Sequence, residues 1–202
     1  MTQVTLDALI TGAISGKIAS FPTDTVPALA TRPDQSELIF IAKQRSQDKP
    51  LILMGDTINT LLSFCQGTPA EMAVWQQVAQ TYWPGALTLV LPASERVPRA
   101  MHPKDPTSIG LRIPKHPIAL QILAETGPLA TTSANRSGRP PLLSMAEIAA
   151  EFPEVLTLSP CDCDRPTVLP ASGVPTTVAK WTSKEWEIIR QGAVKFQSQS
   201  LQ

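Results

Sequence analysis

Lys43, Arg45 and Lys49 stand close together, just ahead of the apolar run Leu51 to Met54. Two chemistries suit that spacing. Cations favour a helix C-terminus, where they offset the helix dipole. Alternatively, Lys43 and Arg45 together hold a polyanion, the Arg with a planar fork for phosphate oxygens and the Lys with a point charge. A further cation, Arg112, lies amid the apolar neighbours of Ser108 to Ile113. A buried arginine must find an anion, because an unpaired buried charge is costly. Its partner is either an internal carboxylate or a ligand. Pro22-Thr23-Asp24-Thr25-Val26-Pro27 places two hydroxyls and a carboxylate at the end of a strand. These suit a small polar ligand, or they close local Asx and Ser/Thr turns. Ser133-Ala134-Asn135-Arg136-Ser137-Gly138-Arg139 is a second polar loop, rich in hydroxyls and arginine. Cys161-Asp162-Cys163-Asp164 offers metal-ligand types, but no Cys/His pair lies at zinc-site spacing, so it reads as a polar loop with incidental thiols and no metal site. His102 and His116 each precede a proline and give no reason for a catalytic assignment.

These groups need elements to position them. Leu6, Leu9, Ile10, Ala13 and Ile14 recur at helical spacing, and Gly16 follows as a stop. Lys17 to Phe21 reads as a strand. Asp34 with Glu37 resembles a capping box, and Leu38, Ile41 and Ala42 supply the buried stripe of the helix that delivers Lys43. Thr57 starts a short helix carrying Ile58, Leu61 and Leu62. Thr68-Pro69-Ala70-Glu71 opens another that runs to about Tyr82, and Trp83-Pro84-Gly85 breaks it. Strands are expected over Ala86 to Leu91, Ser108 to Ile113, Leu129 to Thr132, Thr176 to Lys180 and Trp186 to Arg190. Helices are expected over Pro117 to Thr126 and from the Ser144 cap with Glu147. Val97 to Pro106 reads as an irregular basic loop. Pro160, Pro166, Pro170 and Pro175 punctuate a long semi-rigid connector.

The chain has 202 residues, 43% of them hydrophobic, which suits one folded domain with a sizeable core. The expectation is a single domain over 1–202, with its core at about 5–192 and a frayed tail at 193–202. A formal net charge of zero excludes a strongly basic surface, so any nucleic-acid contact must come from a local patch. With 20 prolines, rigid turns are favoured over long helices. No cationic stretch precedes a long apolar one at the N-terminus, no apolar run approaches membrane-spanning length, and the odd count of 3 cysteines suggests no disulfide framework. The expected setting is cytoplasmic, without membrane contact.

The polar loops, taken in order, resemble the YrdC family of threonylcarbamoyl-AMP synthases, in its short bacterial form. The resemblance runs from about Lys17 to Gly192. It rests on Pro22-Thr23-Asp24-Thr25-Val26, on Lys43-Gln44-Arg45 leading to Lys49-Pro50-Leu51-Ile52, and on Trp83-Pro84-Gly85 with Thr88. Ser108-Ile109-Gly110-Leu111-Arg112 and Thr132-Ser133-Ala134-Asn135 with Ser137-Gly138 follow, then Pro175-Thr176-Thr177-Val178 and Arg190-Gln191-Gly192. The joint order is specific where each block alone is weak. The chain departs from the family's usual residues at Pro27-Ala28, Met54, Pro141 and Lys180.

The resemblance implies an α/β fold, a twisted mixed sheet around a basic cavity with helices outside. It implies a nucleotidyltransferase that joins L-threonine, bicarbonate and ATP into threonylcarbamoyl-AMP and pyrophosphate for tRNA modification, with Mg2+ accompanying ATP. It gives Thr25, Arg112 and Thr177 to threonine. It gives Arg45, Lys49, Ser108, Ser133, Asn135 and Arg190 to ATP, with Lys43 and Arg45 acting in catalysis and Lys43 and Asn135 lining the same cavity. Implied partners are downstream threonylcarbamoyl-transfer proteins, and tRNA or double-stranded RNA. A nucleotide- or RNA-binding relative that keeps the basic cavity without the synthase reaction is the alternative.

Overall fold

The computed structural model describes residues 2–163 and 171–197. In chain order, β1 (Gln3–Val4) leads into α1 (Leu6–Ile14), β2 (Ala19–Phe21) and β3 (Ala28–Thr31). A 3-10 turn, Pro33–Gln35, precedes α2 (Glu37–Lys43), β4 (Ile52–Met54), α3 (Ile58–Leu62) and α4 (Pro69–Tyr82). Next come β5 (Leu87–Pro92), β6 (Ser108–Arg112), α5 (Pro117–Thr126), β7 (Leu129–Ser133) and α6 (Met145–Glu151). The last elements are β8 (Leu156–Leu158), α7 (Pro160–Cys163), β9 (Thr177–Trp181) and β10 (Trp186–Arg190).

Among the described residues the strands form one mixed sheet of 10, ordered β1-β8-β2-β3-β7-β4-β6-β5-β9-β10. At its centre β7 pairs antiparallel with both β3 and β4, matching Ser133 to Ala28 and Thr131 to Ile52. β4 then pairs parallel with β6, which sets Met54 beside Arg112. Two apolar clusters cover the sheet. One gathers Trp75, Leu53, Leu89, Leu111 and Trp181, and the other gathers Leu9, Phe21, Met54, Ile122 and Phe152. Neighbours Leu53 and Met54 fall in different clusters because successive side chains of a strand point to opposite faces. Among the described residues no helix is long and apolar enough to cross a membrane.

Many start signals hold. Thr57 caps α3, and Thr68–Glu71 and Ser144–Glu147 form reciprocal capping boxes on α4 and α6. Others do not. Asp34 lies within the 3-10 turn with its carboxylate on Arg32 at 2.7 Å, and α2 begins without a side-chain cap. The buried face of α2 is Ile39, Phe40, Ala42 and Lys43, while Leu38 and Ile41 are exposed. An apolar-stripe argument counts only hydrophobic residues, and here the inward face carries a lysine. Ile14 is likewise exposed.

The connector from Pro160 begins with α7, and its residues 164–170 lie outside the described ones. The tail is ordered further than expected. Ala193 N–H donates to Pro175 O at 2.9 Å, and buried Phe196 packs against Tyr82 and Trp186 with ring centres 5.2 and 5.8 Å away. The remaining tail, 198–202, lies outside the described residues.

Candidate active site

The strand ends near Arg112 open into a cavity of about 190 Å3. Its walls come from six stretches of chain: the turn after β2 (Thr25, Val26, Pro27), the segment after α2 (Arg45, Pro50), β4 (Ile52, Met54), the end of β6 (Arg112), β7 (Thr131, Thr132, Ser133) and the β9–β10 hairpin region (Pro175, Thr176, Arg190). Among the described residues three arginines line it, and no carboxylate side chain does.

Local folding explains where each cation points. α2 ends with Gln44 in the left-handed conformation, at φ 51° and ψ 44°. Arg45 N–H reaches back to Phe40 O at 2.9 Å and Gln44 N–H to Ile41 O at 3.1 Å, the Schellman pattern of a helix end. That reversal separates two cations that are one residue apart in sequence. Arg45 turns to the cavity, where its guanidinium donates to the carbonyls of Lys49 (3.0 Å) and Pro50 (3.2 Å). Lys43 stays on the buried helix face. Its ammonium donates to Ser133 O, to Asn135 O at 2.6 Å and to Asn135 Oδ1 at 3.2 Å. Lys43 and Arg45 therefore do not grip one polyanion side by side. Lys43 pins the β7 loop from behind the cavity wall. Burial, and secondarily the charge of Arg45, push its pKa down to about 7.

Asn135 is also behind the wall. Its Oδ1 accepts from Ser133 Oγ at 2.6 Å, and its Nδ2 donates to Arg136 O and Arg139 O, so it shapes the loop that presents Ser133. Ser133 itself lines the cavity.

Arg112 is almost fully buried, and it has found an internal carboxylate. Its NH2 lies 2.6 Å from Asp24 Oδ1, NH1 donates to Thr25 Oγ1 at 2.8 Å and Nε to Gly85 O at 3.1 Å. Burial lowers its pKa, Asp24 opposes that, and the charge of Arg190 lowers it further. The turn between the two prolines serves both of its expected uses. Thr23 Oγ1 donates to Val26 O at 2.7 Å and accepts from Thr25 N–H at 3.2 Å, closing the turn, while Thr25 faces the cavity.

Besides Lys43 and Asn135, three more expected site residues do not line the cavity. Lys49 is exposed and contributes its carbonyl, and Ser108 starts β6 at the end remote from Arg112; neither lines the cavity. Thr177 is fully buried, with its hydroxyl donating to Val194 O at 2.5 Å and accepting from Gly192 N–H at 2.9 Å. Its neighbour Thr176 takes the wall position. Thr176 O and Oγ1 both accept from Arg190, at 2.9 and 3.1 Å from NH2. Thr176 Oγ1 also sits 2.9 Å from Thr88 Oγ1. Gly192 is needed here, because a Cβ would come within 2.3 Å of Pro175 O. Sequence reasoning missed Asp24 as the partner of Arg112, and Thr176. The paired Thr176-Thr177 held the right motif, and only the phase of the strand start separates the two. Among the described residues no group of three or more His, Cys, Asp or Glu side chains could hold a metal ion.

A mixed α/β sheet with an arginine-lined cleft at its strand ends defines the class. The chain belongs to the Sua5/YciO/YrdC family, whose profile, described as "Telomere recombination", matches residues 13–192. It is 34% identical over 156 residues to a threonylcarbamoyl-AMP synthase of Pseudoalteromonas translucida (strain TAC 125), covering 75% of this chain and 82% of the relative. A threonylcarbamoyl-AMP synthase of Pyrococcus abyssi (strain GE5 / Orsay) is 39% identical over 141 residues, 68% of this chain and 40% of its own. The crystal structure of P. abyssi Sua5 complexed with L-threonine matches with a TM-score of 0.80 at 30% identity, over 93% of this chain and 54% of that one. E. coli YciO shares the fold, with a TM-score of 0.78 at 22% identity over 94% and 90% of the two chains. The chain thus spans most of the first relative and about half of the solved P. abyssi protein.

Proposed function

We propose that this chain is an L-threonylcarbamoyladenylate synthase, a nucleotidyltransferase acting on L-threonine, bicarbonate and ATP. The observation that carries the reading is one cavity that holds its arginines in two unlike ways. Arg112, with Thr25, is a buried, ion-paired corner. Arg45 is held by carbonyl oxygens and Arg190 by the carbonyl and hydroxyl of Thr176, neutral acceptors that leave their charge uncancelled. The cavity's volume of about 190 Å3 is below the roughly 300–1,000 Å3 of sites that bury a drug-sized ligand, so it is too small to bury a nucleotide whole. In this reading the amino acid sits against Arg112, its carboxylate on the remaining donors of that guanidinium, and the nucleotide extends out of the cavity past Arg45.

The threonine amine and bicarbonate form a carbamate and release water. A carbamate oxygen then attacks the α-phosphorus of ATP, the bond from that phosphorus to the bridging oxygen breaks, and pyrophosphate leaves with the electron pair. Both reactants are anions. Arg45 and Arg190 offset their repulsion and stabilise the charge that builds on the phosphoryl oxygens. Ser133 offers a hydroxyl to the nucleotide, and Lys43 and Asn135 hold the loop that presents it. No protein nucleophile takes part. Mg2+ fits only as a companion of ATP. With no carboxylate lining the cavity among the described residues, it would be held by phosphate oxygens and water, and it would supply neutralisation of their charge.

Transfer of the threonylcarbamoyl group to tRNA by downstream proteins completes the role. The relatives' names favour this reading over a cavity that binds nucleotide or RNA without chemistry. The test is to incubate the purified protein with ATP, bicarbonate and labelled threonine and to look for threonylcarbamoyl-AMP and pyrophosphate. Nucleotide binding with neither product would replace the synthase reading with the binding one.

A further inference from the structure

The three arginines of the cavity differ in one respect that geometry alone reveals. Arg45 and Arg190 are oriented by neutral oxygens, the carbonyls of Lys49, Pro50 and Thr176 and the hydroxyl of Thr176. Neutral acceptors fix a guanidinium without cancelling its charge. Among the described residues, of the three only Arg112 has a carboxylate against it, Asp24 Oδ1 at 2.6 Å. Asp24 is not among the residues that line the cavity and lies behind Arg112. It is held for its task from two sides. The same Oδ1 accepts from Lys115 N–H at 2.9 Å, and the Asp24 carbonyl accepts from Ser172 N–H at 3.1 Å.

We propose that Asp24 is the specificity-determining residue of the cavity: by neutralising Arg112 it keeps phosphate groups out of the amino-acid end. This rests on the reading that the cavity takes an amino acid and a nucleotide. A threonine zwitterion has no net charge and loses little when it meets a neutral ion pair that still offers free N–H donors. A polyphosphate has several negative charges and follows net positive charge. With Asp24 in place, the uncancelled charge among the described lining residues sits at Arg45 and Arg190. Without it, Arg112 would join them in one continuous cationic pocket. Arg190 is already within electrostatic reach of Arg112. Pyrophosphate, which has no other anionic group to satisfy, would then settle in the amino-acid corner and compete with threonine.

Asp24→Asn tests this while leaving an oxygen for Lys115 N–H and for Arg112. Inorganic pyrophosphate is titrated by calorimetry into wild type and variant, with and without saturating L-threonine. Wild type should bind pyrophosphate equally well in both conditions. The variant should bind it at least about tenfold more tightly, since a unit charge at close range exceeds the 1.4 kcal/mol that a tenfold change requires. Threonine should now displace it. A folded variant whose pyrophosphate affinity stays indifferent to threonine reduces Asp24 to a structural partner and overturns the proposal. So does competition between the two ligands already present in wild type, a measurement that holds even if the variant fails to fold. Failure of wild type to bind threonine in its own titration would instead strike the synthase reading on which the proposal stands.

Discussion

The two ends of the cavity hold their arginines by opposite means. Arg112 is buried and tied to a carboxylate, a hydroxyl and a carbonyl, so it belongs to the folded frame as much as to the site. Arg45 is partly exposed and held only by carbonyls of its own loop, four and five residues on. The difference separates cost from use. An ion pair repays the desolvation of a deep cation but spends its charge internally. A shallow cation on neutral acceptors keeps its charge for a ligand and adds little to stability. The cavity thus has a structural corner and an electrostatic mouth, and mutations at the two should fail in different ways.

The largest expected effect is at the corner. Arg112→Leu strands the Asp24 carboxylate and removes the donors to Thr25 and Gly85. Breaking a buried pair costs roughly 3 to 5 kcal/mol, and the lower figure suits Asp24, whose side chain keeps 18% of its exposure. Denaturant unfolding should show the loss in the unliganded protein. An unliganded variant as stable as wild type would mean that Arg112 serves ligand alone. Arg45→Ala should behave in the reverse sense. Its melting temperature should stay near wild type, while ATP-dependent pyrophosphate release falls by about 2 to 4 kcal/mol of transition-state stabilisation. If release is unchanged, Arg45 is only a helix-end cation and the mouth has no electrostatic role.

How much of this contrast was legible in sequence depends on the range of the interaction that decides it. Capping boxes at Thr68–Glu71 and Ser144–Glu147 are local, span three residues, and were readable. The Schellman end of α2 was not, since Gln44 carries no glycine signal for its left-handed backbone, and so Lys43 and Arg45 read as one pair. β3, whose residues Ala28–Thr31 are all buried, shows no apolar alternation to mark it as a strand. The need of Arg112 for an anion was clear from its apolar neighbours. That the anion is Asp24, 88 positions away, depends on β6 ending beside the turn after β2, and no local pattern records that. Motif resemblance brought Thr25, Arg45, Arg112, Ser133 and Arg190 to one cavity but placed Thr177 there where the structure has Thr176. A motif fixes neighbours in sequence, and the pleat decides which of them faces in.

Lys43 holds the loop that presents Ser133, and pH can isolate its share. Its pKa falls from 10.5 to about 7 because burial, then Arg45, disfavours the charged form. The unfolded amine keeps the ordinary value, so between these two pH values the unfolded chain binds more protons. Stability should therefore rise with pH across that window. Nucleotide affinity should move the other way. As Lys43 loses its proton it gives up a donor to the Ser133–Asn135 loop and a positive charge beside Arg45. Measuring affinity for an ATP analogue in wild type and Lys43→Met cancels the titration of the nucleotide itself. Wild type should bind more tightly below pH 7, by up to about 1.5 kcal/mol, and the gap should close above it. A gap that is constant with pH would mean that Lys43 stays charged in its carbonyl cage.

The smallest effect is expected at Lys49, which sequence places with the phosphate ligands. Its carbonyl orients Arg45, and Lys49→Ala preserves that carbonyl. Its side chain is exposed and outside the lining. What the substitution removes is one solvated charge near the mouth, and exposed charges of this kind are worth about 0 to 1 kcal/mol. The affinity for an ATP analogue should fall slightly at low salt. The deficit should vanish near physiological ionic strength, where the Debye length is about 8 Å. Arg45→Ala, by contrast, should keep most of its deficit in salt, because its charge lies against the cavity wall. If Lys49→Ala costs as much as Arg45→Ala at physiological salt, the loop that carries both must close over the nucleotide and bring Lys49 onto the phosphates. The mouth would then be assembled by the ligand, while the corner is built by the fold.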